Sequence, residues 1–303
     1  MPHTIRVFQV DAFTQRAFTG NPAGVVLDAD VLSDAQMQAI ARELNNGDTA
    51  FVLKSDGADH DVRVRFFTPR TEAGFVGHAT VAAHAVLATL PDTQPGTLRQ
   101  KQRTGLVSVF TAVDRHSGIA QVAIAQPPPR LGRVLAPTEL GQVLAALGLT
   151  TADLDPKTPA QIAGEGSTRL LLGLASGAAL TKLQPDQNKL AALSPLLGAS
   201  GYFVFSRQPT LPGFDTEARM FCPALGIAED PVSGNAHGML GAYLLKHALL
   251  PAGTTGFLGA QGHHMGRPGS VRIGLDQGAE GLRGVTIQGD AVTVFATTLE
   301  LKD

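Results

Sequence analysis

Two stretches of the chain follow the same order. The first is Arg65-Phe66-Phe67-Thr68-Pro69, a loop, then Gly77-His78-Ala79-Thr80 leading into Val81-Ala82-Ala83-His84-Ala85-Val86-Leu87. The second is Arg219-Met220-Phe221-Cys222-Pro223, a loop, then Gly234-Asn235-Ala236-His237 leading into Gly238-Met239-Leu240-Gly241-Ala242-Tyr243-Leu244. Ala79 and Ala236, Ala85 and Ala242, and Leu87 and Leu244 fall at equal offsets from Gly77 and Gly234. A strand, a Phe-x-Pro turn, a loop, a glycine and an apolar helix therefore occur twice, which reads as an internal repeat. Neither helix has a polar face, and a helix that is apolar all round is buried all round. Both are too short to span a bilayer. Each is expected to form the core of its own domain, over Gly77 to Leu90 and from Gly234 to Leu250. Lys246 and His247 near the end of the second suit a helix C-terminus.

The rest of the chain supplies strands around these helices. Ile5 to Val10 and Gly24 to Leu27 are β-branched-rich runs joined by the turn residues Thr19-Gly20-Asn21-Pro22. Ser33 and Gln36 form a capping-box pattern, and Met37, Ile40, Ala41 and Leu44 make one apolar helical stripe. Asn45-Asn46-Gly47 is a helix stop. Asp48 follows it, just before the short strand Thr49 to Leu53. Val62 to Phe66 alternates as a half-buried strand does. Further strands are expected at Leu106 to Val113, Ile119 to Ala125, Leu170 to Leu174, Tyr202 to Phe205, Val285 to Ile287 and Val292 to Glu300. Gln126-Pro127-Pro128-Pro129 reads as a domain junction.

Composition narrows the class. A length of 303 residues suggests about two domains. Charged residues are 17% and apolar residues 44%, which excludes a disordered chain. The formal net charge is −2 with no run of like charge, so nothing suggests a nucleic-acid partner. Cys222 is the sole cysteine, which excludes an intramolecular disulfide, a multi-cysteine metal site and any reaction needing two thiols in one chain. The N-terminus has no basic segment followed by an apolar one, and a cytoplasmic protein with no membrane partner is expected.

Chemistry can gather at the two helix starts. The first amides of a helix have no intrahelical partner, and the helix dipole favours an anion there. The small and polar residues at Gly77-His78-Ala79-Thr80 and Ser233-Gly234-Asn235-Ala236 suit such a site. Ordinary N-capping by Thr80, Ser233 or Asn235 accounts for the same residues. Asp230 stands a few residues before the second start, where a ligand or catalytic role competes with that of a solvated loop acid. Glu229 beside it reads as a carboxylate facing water. Asp48 is either a solvated turn acid or a desolvated carboxylate whose raised pKa would suit a general base. His84 reads as a hydrogen-bonded core histidine, His263 and His264 as rim histidines, and Cys222 as a small buried hydrophobe. Gly-x-Gly-x-x-Gly, Walker A, His-Glu-x-x-His and Gly-x-Ser-x-Gly patterns are all missing.

Several motifs together resemble one family. They are Val10-Asp11-Ala12-Phe13-Thr14 through Gly20-Asn21-Pro22-Ala23-Gly24-Val25-Val26, Leu32-Ser33 with Gln36 to Glu43, Phe67-Thr68-Pro69 and Gly77-His78-Ala79-Thr80. Glu229-Asp230-Pro231-Val232-Ser233-Gly234-Asn235-Ala236 and Gly266-Arg267-Pro268 complete the set. The chain resembles, nearly end to end, the phenazine biosynthesis-like (PhzF) family, and within it a bacterial YddE-like branch. The resemblance implies an α+β, diaminopimelate epimerase-like fold. It would have two pseudo-symmetric domains, each a curved mixed sheet wrapped around a central apolar helix, with the active site in the cleft. The expected division is 1–118 plus 286–303, and 119–285. The resemblance also implies a homodimer, no metal and no organic cofactor.

By the same resemblance Asp48 occupies the place of the family's acid–base glutamate. His78 and Asp230 occupy the places of substrate-contacting residues, and the Gly77 and Gly234 amides would contribute to binding. Asn235 replaces a common serine. Asp48 and Asn235 both depart from the family pattern, so the reaction type would be kept while the substrate differs. The resulting expectation is a cofactor-independent isomerase of a small anionic metabolite. Two rivals are an epimerase that uses carboxylates and a non-catalytic ligand-sensing or protein-interaction member of the fold.

Overall fold

A computed structural model describes residues 3–91, 94–114 and 116–301. The architecture is mixed α/β, with strands far more numerous than helices. The chain forms two compact units, Met1–Gln126 with Gln288–Asp303, and Pro127–Ile287. Ile119–Gln126, expected in the second domain, falls in the first unit.

The first unit contains β1 (His3–Ala12), β2 (Asn21–Val26), α1 (Asp34–Leu44), β3 (Asp48–Lys54), β4 (Val62–Phe67), β5 (Glu72–Ala73), α2 (Gly77–Thr89), β6 (Gly96–Gln102), β7 (Gly105–Asp114) and β8 (Ile119–Gln126). β1 pairs antiparallel with β2 and with the chain's final strand segment, Ala291 to Leu301. β2 runs parallel to β3 and sets Ala23 opposite Asp48. β3 then pairs antiparallel with β4, and β6, β7 and β8 form a meander. The capping box of α1 is present, with Ser33 and Gln36 each satisfying the other's backbone N–H. Asn45 ends this helix in the left-handed region at φ 52°, a conformation that asparagine tolerates.

Helix α2 packs against β1, β2, β3, β7 and β8. Alanines let the strands approach it closely, while Val81 and Val86 are fully buried between them. His84 is fully buried too, bonded through Nε2 to Gln100 at 2.9 Å, as a core histidine should be. The helix ends where Leu90 turns extended, the conformation preferred before a proline such as Pro91.

The second unit contains β9 (Leu131–Val134), α3 (Pro137–Leu147), β10 (Gln161–Ala163), β11 (Arg169–Leu174), α4 (Gly177–Leu180), α5 (Gln187–Leu197), β12 (Gly201–Ser206), β13 (Thr216–Cys222), β14 (Ile227–Asp230), α6 (Gly234–Lys246), β15 (Gly256–Gln261) and β16 (Gly269–Gly278). The last strand, β17, begins at Gly281 and runs to Leu301. β11 and β12 are parallel, β12 and β13 antiparallel, and β13 pairs with both β14 and β15. α3 and α5 cover a core that includes Leu144, Leu190, Tyr202 and Phe221. Helix α6 packs on β9, β15 and β16.

Helix α6 stops at Lys246 instead of continuing to Leu250. Ala248 turns left-handed at φ 52°, Ala248 N–H donates to the Leu245 carbonyl, and Leu249 N–H donates to that of Leu244. This is a Schellman closure, with Pro251 just beyond it to prevent continuation. No helix among the described residues is long and apolar enough to cross a membrane.

Candidate active site

In the first unit the sequence around Asp48 is shaped before the strand begins. After the left-handed Asn45, the Asn46 side-chain amide exchanges two hydrogen bonds with that of Gln9, at 3.0 and 2.8 Å. Asp48 then opens β3 with its side chain 12% exposed. Helix α2 starts beside it. Its N-cap is Val76, which has no capping side chain. Thr80 does not cap this helix: its Oγ1 and its N–H both turn back to the Val76 carbonyl. The N-cap residue therefore supplies no side-chain acceptor to this helix start, as an anion site would need.

His78 lies in the first turn. Its Nε2 is 3.8 Å from Asp48 Oδ2, beyond hydrogen-bond reach, and has no hydrogen-bond partner. Burial pushes the imidazole down to about 4. The cause is desolvation, which disfavours the charged imidazolium. At neutral pH His78 is a neutral imidazole. Asp48, His78 and the Gly77 amide are thus brought together at one end of the first unit's sheet.

In the second unit Asp230 ends β14, and Gly234 and Asn235 open α6. Ser233 is the N-cap, its Oγ accepting from the Ala236 N–H at 3.4 Å. His237 Nδ1 donates to the Ser233 carbonyl at 2.9 Å, the same four-residue step that Thr80 makes to Val76. The fully buried Gln261 bridges the turn: its Nε2 donates to the Asp230 carbonyl at 2.7 Å and its Oε1 accepts from the Ser233 N–H at 3.0 Å.

Glu229 corrects one expectation. It does not face water: Arg219 grips it through two bonds, Nε to Oε1 at 2.9 Å and Nη2 to Oε2 at 2.8 Å. The first unit has the same fork, Arg65 to Glu72 at 2.8 and 3.0 Å. Each guanidinium also lies over a phenylalanine two residues on, Arg65 over Phe67 at 5.2 Å and Arg219 over Phe221 at 5.1 Å. Glu72 and Glu229 each stand five residues before the helix-start glycine. The sequence alone assigns no site role to Arg219, Glu229 or Gln261. The shared Arg-x-Phe and Glu-x-x-x-x-Gly spacings could have revealed the clasps. Gln261 has no local signal, because its role comes from the pairing of β13 with β15.

The acids do not recur at matching positions. Phe51 pairs with Arg65 and Val204 with Arg219, so Gly201 stands where the first unit has Asp48. A Cβ on Gly201 would lie 2.5 Å from Cys222 Sγ. Cys222 is buried and its thiol is pushed up to about 12 by desolvation, so it is no nucleophile. Conversely, Ala73 stands four residues before Gly77, as Asp230 does before Gly234. His263 and His264 fall in a single turn, with His264 Nε2 3.6 Å from Glu217. No cluster of three or more His, Cys, Asp or Glu that could hold a metal ion occurs among the described residues.

Comparison with known proteins agrees with this fold. Residues 10–297 match the family model described as phenazine biosynthesis-like protein. The chain is 40% identical over 292 residues to the uncharacterized isomerase YddE of Escherichia coli (strain K12), covering 96% of each. It is 32% identical over 286 residues to trans-2,3-dihydro-3-hydroxyanthranilate isomerase of Pseudomonas aeruginosa, covering 94% of this chain and 95% of that one. The crystal structure of a Bacillus anthracis phenazine biosynthesis protein of the PhzF family superposes with a TM-score of 0.86 at 27% identity, over 99% of this chain and 100% of that one. Fold and relatives together define an isomerase on a mixed α/β scaffold. The chain belongs to the phenazine biosynthesis-like (PhzF) family.

Proposed function

We propose that this isomerase moves a proton on a small carboxylate-bearing metabolite, a cyclic amino or hydroxy acid, using Asp48 as acid and base and no cofactor. One substrate would engage residues of both units, held in the cleft of two pseudo-symmetric domains. The Gly77 and Gly234 amides would take its anionic group. Asp48 would remove a proton from carbon and return it at another position, while His78, Asp230 and Asn235 would orient the polar substituents. The observation that carries this reading is the approach of Asp48, at 3.8 Å, to a neutral His78 whose Nε2 has no hydrogen-bond partner, at a helix start whose N-cap residue makes no side-chain capping bond. The absence of an acid at Gly201 favours a single proton carrier over an epimerase with matched carboxylates. A homodimer in the cytoplasm is part of the proposal.

A relative acts on trans-2,3-dihydro-3-hydroxyanthranilate, and the substrate proposed here shares its chemical character. A different compound is proposed, because Asp48 is one methylene shorter than the glutamate that the family resemblance implies at this place. That sets the carboxylate back by roughly 1.5 Å, a displacement that can cost about 100-fold on an unchanged substrate. The test is incubation of cyclic amino and hydroxy acids in deuterated water with wild type and Asp48→Ala. Wild type is expected to incorporate solvent deuterium, and the variant to do so at least about 100-fold more slowly. Equal incorporation by both proteins would remove Asp48 from the mechanism.

A further inference from the structure

The segment from Asp230 to Gly234 is held from two sides by neighbouring strands. On one side Arg219 of β13 grips Glu229 through its forked pair of bonds, and its Nη1 donates to the Leu180 carbonyl at 3.0 Å. Both charged side chains are largely covered, at 12% and 16% exposure. A two-point charge-assisted bond fixes orientation as well as distance, and lysine cannot reproduce it. Successive side chains of a strand face opposite ways. Holding Glu229 on one face of β14 therefore sets Asp230 on the other. On the second side, Gln261 of β15 uses both ends of its amide. One end holds the Asp230 carbonyl and the other the Ser233 N–H, so the turn between them has a fixed span.

We propose that Arg219 and Gln261 are positioning residues that fix the Asp230 carboxylate relative to the amides at the start of α6. The inference rests on the reading of Asp230 and Gly234 as substrate-binding. The first unit carries the Arg65–Glu72 clasp without an acid at Ala73, so there the device sets only the helix start. The second unit uses the same clasp to deliver a carboxylate as well. Gln261 tightens the arrangement by tying the strand end to the N-cap residue.

The variants are Gln261→Glu, Glu229→Gln and Arg219→Lys, with Asp276→Asn as control. Asp276 forms an exposed pair with Arg283 in the same unit. Amide hydrogen exchange of the full chain is read beside the urea midpoint. The three variants are expected to speed exchange at Ser233 to His237 at least about tenfold, with the midpoint close to that of the control. Unchanged exchange there, or acceleration spread evenly over the second unit in step with a lower midpoint, would overturn the proposal. On any compound that wild type labels with deuterium, the variants should lower kcat about tenfold with a smaller change in KM. If Asp48→Ala abolishes labelling while Gln261→Glu keeps wild-type kcat and KM, positioning is refuted and the Asp48 reading stands. If wild type labels none of the compounds, the functional reading fails, and the exchange result alone decides whether the clasp and amide hold this turn.

Discussion

Single residues at this site are constrained by what lies against them. Gly259 of β15 sits under the His237 ring. A Cβ there would lie 2.3 Å from Cδ2 and 2.5 Å from Nε2. The ring cannot swing aside. Its Nδ1 is bonded to Ser233, and it packs in a T-shaped arrangement with Phe203 at a centroid distance of 5.0 Å. Gly259→Ala is therefore expected to cost about 1–3 kcal/mol through overpacking, read as a lower urea midpoint. A wild-type midpoint would show that the ring has room that these distances deny. Much of the site was legible at this scale. Asp230 stands just before Gly234 and Asn235, as their spacing suggested, whereas the approach of His78 to Asp48 at 3.8 Å was implied only by the family resemblance. Glu229 was misjudged because its partner, Arg219, is ten residues away across a strand pair, and Gln261 was invisible for a similar reason. Local patterns mark which residues begin a helix; they do not show which distant side chain holds that start in place.

The helices show what a local pattern can and cannot decide. The capping box of α1 was readable because all its parts lie within four residues. Ser33→Ala removes an acceptor for the Gln36 N–H and is expected to cost about 1 kcal/mol, seen as a small fall in midpoint with an unchanged denaturant slope. No change would mean that solvent replaces the cap fully. α2 and α6 were legible from their lack of a polar face, yet the end of α6 was placed four residues too late. Leucines continue past Lys246, and the stop is made by Ala248 in a conformation that alanine seldom adopts. Helix α3 was passed over although its marks are present. Pro137 is in the first turn, Glu139 bonds the Ala136 N–H, and Gly148 closes the helix at φ 70°. In a stretch with few polar residues between its caps, the amphipathic stripe that reveals α1 is faint.

Across the whole molecule the buried histidines make folding depend on pH. His78, His84 and His237 are each held down to about 4, chiefly by desolvation, two of them in the first unit and one in the second. An unfolded chain binds a proton at each near 6.5. Between those values the unfolded state takes up protons that the folded state refuses. The stabilisation is therefore complete above about 6.5 and is lost as pH falls towards about 4, by up to roughly 3 kcal/mol for each fully shifted group. Urea unfolding between pH 7.5 and 4.5 should show stability falling with acid more steeply than carboxylates alone would cause at these pH values. His84→Gln should flatten that slope by close to one proton. His237→Thr should do the same, because Thr80 already makes the equivalent bond at the same place in α2. Both variants will start from a lower stability at pH 7.5, since each removes packed ring atoms, so the slope is the decisive quantity and not the midpoint at one pH. Slopes identical to wild type in both variants would mean that these imidazoles are protonated in the folded protein, and the neutral His78 in the proposed mechanism would lose its physical basis.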